Sequence, residues 1–191
     1  MLMPDLPTER KPPPTELDDS LILSAMTGSA TALAAIYDAY ARRIYRYFFS
    51  RVANVVEAED LTAQTFLKVI EALPRYQHRG QFTAWIFQIA RNNGMDYLRR
   101  NHSLTLDADL LDLPVMDAGL DQVIHQQAIA RLRSHLRTLN ENEIELLRLR
   151  FVVDLSYPQI AALLGKKEDA VRKSINSLTE RLYWQMETNH A

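Results

Sequence analysis

The chain has 191 residues, 47% of them hydrophobic and 24% charged, and 22 Lys and Arg against 24 Asp and Glu leave a net charge of -2. That length holds one ordinary helical domain or two small ones, and the near-neutral total excludes a surface that is basic all over. The absence of Cys excludes a disulfide scaffold and thiolate metal sites, and the five His (His78, His102, His125, His135 and His190) lack metal-ligand spacing.

Residues 1–17 carry Pro4, Pro7, Pro12, Pro13 and Pro14 without the apolar centre of a secretory signal, so a disordered Pro-rich leader is expected. From there on, Gly is scarce and apolar residues recur at i, i+3 and i+4, so the ordered parts read as helix throughout. Leu21, Leu23 and Met26 lie on a short first helix that ends at Gly28 and Ser29. A second helix, from about Ala30 to Val52, buries a face carrying Leu33, Ile36, Tyr37, Tyr40, Ile44, Tyr47 and Phe48. A third, from about Val56 to Leu73, runs through Leu61, Phe66 and Ile70 and is stopped by Pro74. The fourth starts after Gly80 and sets Phe82, Trp85, Ile86, Ile89 and Tyr97 on one side, opposite a polar stripe of Arg91, Asn92, Asp96, Arg99 and Arg100.

Residues 103–123 differ in character: Asp107, Asp109, Asp112, Asp117 and Asp121 occur with Pro114 and Gly119, and Lys and Arg are missing. This reads as an acidic, extended linker. Helical periodicity resumes with Ile124, Leu132, Leu136 and Leu139, then Ile144, Leu147 and Phe151; Glu141, Glu143 and Glu145 read as an acidic first turn favoured by the helix dipole. The expected fold class is therefore all-α, two small helical domains joined by an acidic flexible linker. The stretch from Lys68 to Arg100 and the C-terminal segment are each rich in Lys and Arg, so both modules can present a basic face.

Between Leu155 and Gly165 lie the parts of the first helix of a helix-turn-helix. Ser156 and Gln159 fit a capping box, Pro158 sits in the first turn, and Gly165 supplies the positive φ of the tight turn. A second helix from about Glu168 turns Val171, Ile175, Leu178 and Leu182 inward and Arg172, Lys173, Asn176 and Ser177 outward, where such residues reach base edges in a major groove. The alternative for this segment is a helical hairpin with a solvated polar face. Upstream, Arg75-Tyr76-Gln77-His78-Arg79-Gly80 mixes cations with a ring, as a surface for a melted strand requires. Phe82 and Trp85 taken alone read as core.

Together these blocks resemble the extracytoplasmic-function (group IV) RNA polymerase sigma factors of the sigma-70 family. The match is carried by Ala58-Glu59-Asp60-Leu61-Thr62 with Thr65-Phe66-Leu67, by Phe82-Thr83-Ala84-Trp85-Ile86 with Ile89-Ala90-Arg91-Asn92 and Asp96-Tyr97-Leu98-Arg99, and by Ile160-Ala161, Leu163-Leu164-Gly165 and Val171. The resemblance implies sigma region 2 over 18–102, the linker over 103–123, and sigma region 4 over 124–186. It further implies that Glu59, Asp60, Gln64 and Lys68 dock on the β′ clamp coiled coil of core RNA polymerase. Arg75, Tyr76, Gln77, His78 and Arg79 would capture a base of the −10 element, Asn92 and Asp96 would line that element, and Arg99 and Arg100 would hold phosphates. Lys167, Arg172, Lys173, Asn176 and Ser177 would read the −35 element. The β flap, promoter DNA and an anti-sigma factor complete the implied partners. Where the family has Gln then Glu after its acidic block, Ala63 and Gln64 stand here, and Gln159, Lys167, Ser174 and Ser177 replace common family residues.

The expected mechanism is that neither module holds promoter DNA alone and that polymerase fixes their separation, making the second contact intramolecular. A one-component helix-turn-helix regulator would leave the Glu-Asp-Leu block, the Trp helix and the acidic strap without purpose, and a sequestering partner protein would fail to support transcription. No Gly-rich phosphate loop, His-Glu-x-x-His pair or Cys nucleophile occurs, so the expectation is a non-enzyme with no catalytic residue, cofactor or metal. No apolar run reaches the roughly 20 residues that span a bilayer, so a cytoplasmic protein without membrane insertion is expected.

Overall fold

The periodic segments fold as helices whose ends are set by local capping chemistry. The computed structural model describes residues 17–77, 80–100 and 131–188, and no strand occurs among them. The N-terminal module comprises α1 (Asp19–Met26), α2 (Ala30–Val52), α3 (Val55–Ala72) and α4 (Phe82–Arg100). Ser29 accepts the Ala32 N–H to start α2, Ala53 ends it in the left-handed region at φ 46°, and the Asn54 side chain at once caps α3 through Glu57 N. Two residues therefore make the whole corner between α2 and α3. A 3-10 turn over Leu73–Arg75, with Pro74 inside it, closes α3.

α2 is the central helix: Ile36, Tyr40, Ile44, Tyr47 and Phe48 are buried along it, against α3 residues Leu61, Phe66 and Val69 and α4 residues Phe82, Ile86, Phe87 and Ala90. Each Ile, Leu, Val or Phe among them, fully buried, contributes about 1.5–3 kcal/mol. Buried Asn93 ties α4 to α3 by donating to Leu61 O and Thr65 Oγ1, both at 3.2 Å. At Gly94 a Cβ would lie 3.3 Å from the Phe48 ring and 3.6 Å from Arg51, so this glycine permits the close approach of α4 to α2.

Two expected core residues lie elsewhere. Ile70 is 48% exposed because Val69, at 1%, occupies the inward position that follows Leu61 and Phe66. Tyr37 is 51% exposed and lies over the Phe66 ring at 4.6 Å, covering the core from outside.

The C-terminal module comprises a helical stretch over 131–136 (α5), α6 (Glu141–Leu147), a π-helical segment over Arg148–Val152, α7 (Tyr157–Leu164) and α8 (Glu168–Thr188). The wider π turn brings Arg148, Leu149 and Val152 all inward. The expected linker over 103–123, the boundaries at 102 and 124, and leader residues 1–16 lie outside the described residues.

The modules also pack directly on each other, the π-helical segment against α2 and α7 against α4. Local periodicity gave no sign of this contact, since it is made by residues about 100 positions apart.

Candidate nucleic-acid interface

The helix-turn-helix forms as its sequence dictates. Ser156 Oγ accepts from Gln159 N at 3.3 Å, Gln159 Oε1 accepts from Ser156 N at 2.9 Å, and Gly165 ends α7 at φ 63°. Val171, Ile175, Leu178 and Leu182 are buried along α8, while Lys167, Arg172, Lys173, Asn176 and Ser177 are exposed. Tyr157 of α7 braces that polar face: its ring lies 4.7 Å from the Arg150 guanidinium and 5.1 Å from that of Arg172, and its hydroxyl donates to Asn176 Oδ1 at 3.5 Å. Arg172 also pairs with Glu168 one turn earlier.

In the loop after α3, Arg75 and Gln77 are exposed but Tyr76 is buried. The 3-10 turn aims its ring inward, 5.4 Å from Phe82 and 4.7 Å from Trp85, so its faces are taken by the aromatic cluster and it is not the open stacking platform that the loop composition suggested. His78 and Arg79 lie outside the described residues. Asn92 is exposed and accepts from Gln88 Nε2 at 3.0 Å. Asp96 pairs with Arg99 at 2.9 Å, and its carbonyl accepts from Arg100 Nε at 3.2 Å, fixing a cation pair at the C-terminus of α4 where the helix dipole favours it. A cleft of about 510 Å³ separates this region, with Arg75, Tyr76, Gln77, Trp85 and Gln88 along it, from Ala162 and Leu163 of α7.

The outer face of α3 carries a stripe that sequence reasoning missed. Val56 (73% exposed), Leu67 (62%) and Ile70 share it with Asp60 and Ala63, at i, i+4, i+7, i+11 and i+14. The signal was present, since these residues are out of register with Leu61, Phe66 and Val69. Glu59 and Asp60 are exposed beside the stripe, and Gln64 Nε2 donates to Asp60 Oδ2 at 2.7 Å. Lys68 is instead turned toward α4, where it donates to Asn93 Oδ1. A second apolar feature, a groove of about 380 Å³ in the C-terminal module, is lined by Leu132, Leu136, Ile144, Leu147, Phe151 and Leu182.

Glu145 sits at the centre of the contact between modules, 5% exposed. Its Oε1 accepts from Tyr47 Oη at 2.8 Å, its Oε2 accepts from Arg148 Nη1 at 2.7 Å, and Arg91 Nε stands 3.5 Å from Oε1. Arg51 of α2 donates to Tyr47 Oη at 2.9 Å and pairs with Glu141 at 2.6 Å, while Arg148 reaches back to Ser50 Oγ at 3.0 Å. Arg43 Nε donates to Val153 O at 3.0 Å, beside the Phe87 ring. Burial alone would raise the Glu145 carboxyl, but Arg51 and Arg148, with the hydrogen bonds from Tyr47 and Arg148, hold it below the usual carboxylate range. Burial and the neighbouring carboxylate push the Tyr47 phenol well above its ordinary value, so it stays a donor. Of the three acids expected to form a dipole-favoured first turn, Glu141 and Glu143 do so, whereas Glu145 lies beyond it and is buried. The cation Arg51, lying on the continuation of the α2 apolar stripe, was the signal that could have exposed it.

Among the described residues no group of His, Asp and Glu is placed to hold a metal, and no helix is long and apolar enough to cross a membrane.

Comparison with known proteins gives a consistent family. The Sigma-70 region 2 family matches residues 36–103. The chain is 33% identical over 156 residues to the ECF RNA polymerase sigma factor BldN of Streptomyces coelicolor, covering 80% of this chain but 59% of that relative's length. It is 31% identical over 173 residues to the ECF RNA polymerase sigma factor SigD of Mycobacterium tuberculosis, covering 86% of this chain and 81% of the relative. A solved structure of CnrH, in complex with the cytosolic domain of CnrY, shares the fold with a TM-score of 0.63 at 21% identity, over 88% of this chain and 96% of that one.

Proposed function

Since the chain belongs to the ECF RNA polymerase sigma factors, we propose that it binds core RNA polymerase and directs it to promoters, acting by recognition and not by catalysis. The observation that carries this reading is the C-terminal helix-turn-helix: a doubly capped first helix, a left-handed Gly turn, and a second helix with its cations outward. Arg172, Lys173 and Asn176, with Lys167 and Ser177 beside them, would enter the major groove at the −35 element.

On the N-terminal module, the exposed apolar stripe of α3 with Glu59, Asp60 and Gln64 at its border supplies a docking face for the β′ clamp coiled coil. Lys68 serves this face by joining α3 to α4. The −10 element falls to the loop after α3 and to Asn92 and Asp96. Arg75, Gln77, His78 and Arg79 supply polar contacts there, Tyr76 forms the floor, and Arg99 and Arg100 hold phosphates. The apolar groove of the C-terminal module suits an apolar helix such as that of the β flap. An anti-sigma factor would restrain the chain by covering these same faces, and the site of action is the cytoplasm.

The test is run-off transcription on fragmented genomic DNA with core polymerase and the purified chain, followed by sequencing of 5′ ends. A discrete set of ends absent from core polymerase alone is expected. An unchanged profile overturns the reading.

A further inference from the structure

We infer that Tyr157 is a positioning residue for the −35 element: it holds Arg172 and Asn176 of α8 in one arrangement before DNA arrives, and so sets which bases they select. This rests on the sigma-factor reading above and deepens it.

The ring is itself anchored. Tyr157 is the first residue of α7, directly after the Ser156 cap, so the helix start fixes its backbone. Arg150 Nη1 donates to the carbonyl of buried Leu155 at 2.9 Å, and the guanidinium held in this way lies 4.7 Å from the centre of the Tyr157 ring. The Arg172 guanidinium lies 5.1 Å from the same ring, and the phenol hydroxyl donates to Asn176 Oδ1 at 3.5 Å. One side chain of α7 therefore meets two reading side chains of α8. The two helices already bury Ile160, Leu163, Val171 and Ile175, and packing alone asks for neither a cation against a ring nor a hydroxyl reaching across.

Arg172 and Asn176 are both exposed, and exposed side chains on a helix sample several rotamers whose ordering weakens a contact made on binding. The aromatic face restricts Arg172, and its pair with Glu168 one turn earlier holds the same group from α8 itself. For Asn176 the consequence is also chemical. An amide free to use both its oxygen and its nitrogen pairs with adenine, donating to N7 and accepting from N6. With Oδ1 turned to the Tyr157 hydroxyl, the planar amide offers the groove its N–H groups, which suit the acceptor edges of guanine (N7 and O6) or thymine (O4). Tyr157 thus selects guanine or thymine over adenine at the base pair that Asn176 meets. Arg172, a donor only, suits guanine at its own base pair.

This role has a signature of its own. A tyrosine that only touched the DNA backbone, or only packed two helices together, would change affinity for all sequences alike. A residue that fixes the direction of an amide and a guanidinium changes the ratio between bases at the positions those two groups read.

The experiment is transcription by core polymerase with the full chain on a barcoded promoter library randomised at the −35 element, base preferences being read from the barcodes in the RNA. Arg172→Ala and Asn176→Ala are each expected to flatten the preference at one base pair, which identifies it. Tyr157→Phe keeps the ring and its packing and loses the hydroxyl, so it carries the test. The ratio of guanine or thymine to adenine at the Asn176 base pair is expected to fall by about fivefold or more, with the Arg172 base pair unchanged. Tyr157→Ala is expected to flatten both. Introduced into Asn176→Ala, Tyr157→Phe is expected to change nothing further. Wild-type ratios in Tyr157→Phe, or a fall in yield equal for all −35 sequences, overturns the positioning role and leaves the sigma-factor reading in place. A wild-type chain that supports transcription from no template overturns that reading, and the role of Tyr157 with it.

Discussion

Replacing Tyr47 by Phe deletes one oxygen from the contact between modules and leaves the ring packing in place. That oxygen donates to Glu145 Oε1 at 2.8 Å and accepts from Arg51 Nη1 at 2.9 Å, both in buried surroundings. Hydrogen bonds to charged groups are worth about 1.5–3 kcal/mol each. The two losses do not add, because Arg51 keeps Glu141 and Glu145 keeps Arg148. A cost of about 2–3 kcal/mol follows, and at roughly 2–4 °C per kcal/mol for a chain of this size the Tm falls by about 4–12 °C. Tyr40→Phe is the matched control: Tyr40 is equally buried, but its hydroxyl meets the neutral Thr83 at 2.7 Å inside the N-terminal module, so a loss of about 1 kcal/mol is expected. Urea unfolding at constant slope measures both. If Tyr47→Phe costs no more than Tyr40→Phe, the Tyr47 hydroxyl faces water in solution and the reasoning about docked modules is refuted.

The remaining predictions concern pH, polymerase and DNA. Because the Glu145 carboxyl is held below its ordinary range in the folded chain, its contribution is present above that range and is lost as pH falls through the depressed value; stability by urea unfolding is therefore flat near neutrality and falls only on the acid side. A midpoint near neutrality would contradict the pairing. Leu67→Asp changes an exposed residue, so stability by urea unfolding shifts by less than about 0.5 kcal/mol, while affinity for core polymerase in a sedimentation or interferometry assay falls at least tenfold. Arg172→Ala reduces discrimination at one position of the −35 duplex by about 1–3 kcal/mol, whereas Arg100→Ala weakens all sequences alike and lowers the salt slope by about one, both read by titration at several salt concentrations.

Much of the fold was legible because it is decided within a few residues. The Ser156 and Gln159 capping box, the left-handed Gly165 and the inward set Val171, Ile175, Leu178 and Leu182 follow from spacing alone. The polar face of α8 was legible for the same reason, being what the inward set leaves over. Ile70 was misplaced because two adjacent apolar residues, Val69 and Ile70, compete for one inward position, and only the register fixed by Leu61 and Phe66 selects between them. Tyr76 was misread because composition says that a ring is in a loop but not which way the 3-10 turn aims it. The contact between modules was illegible for a deeper reason. Glu145 lies at an ordinary position near the start of an acidic helix, and what makes it special is Tyr47, nearly a hundred residues earlier. A long-range pair of this kind leaves one trace, a cation or hydroxyl on an otherwise apolar stripe, and Ser50 and Arg51 at the end of α2 are that trace.

An interface between two modules that is built from charges behaves differently from an apolar one. A large apolar interface would give a permanent single domain, since separating it exposes surface at about 25 cal/mol per Å². A contact centred on a buried carboxylate between guanidinium groups is specific in register, because any shift leaves a charge unpaired, yet its net contribution is small once desolvation is set against attraction. Glu145 therefore fixes one closed geometry without making it irreversible. Parting the modules would leave Arg51 and Arg91 without their carboxylate partners, whereas Arg148 keeps Glu145 within its own module. Mutating Glu145 to Gln would therefore weaken the docking of the two modules while leaving each module's own apolar core intact.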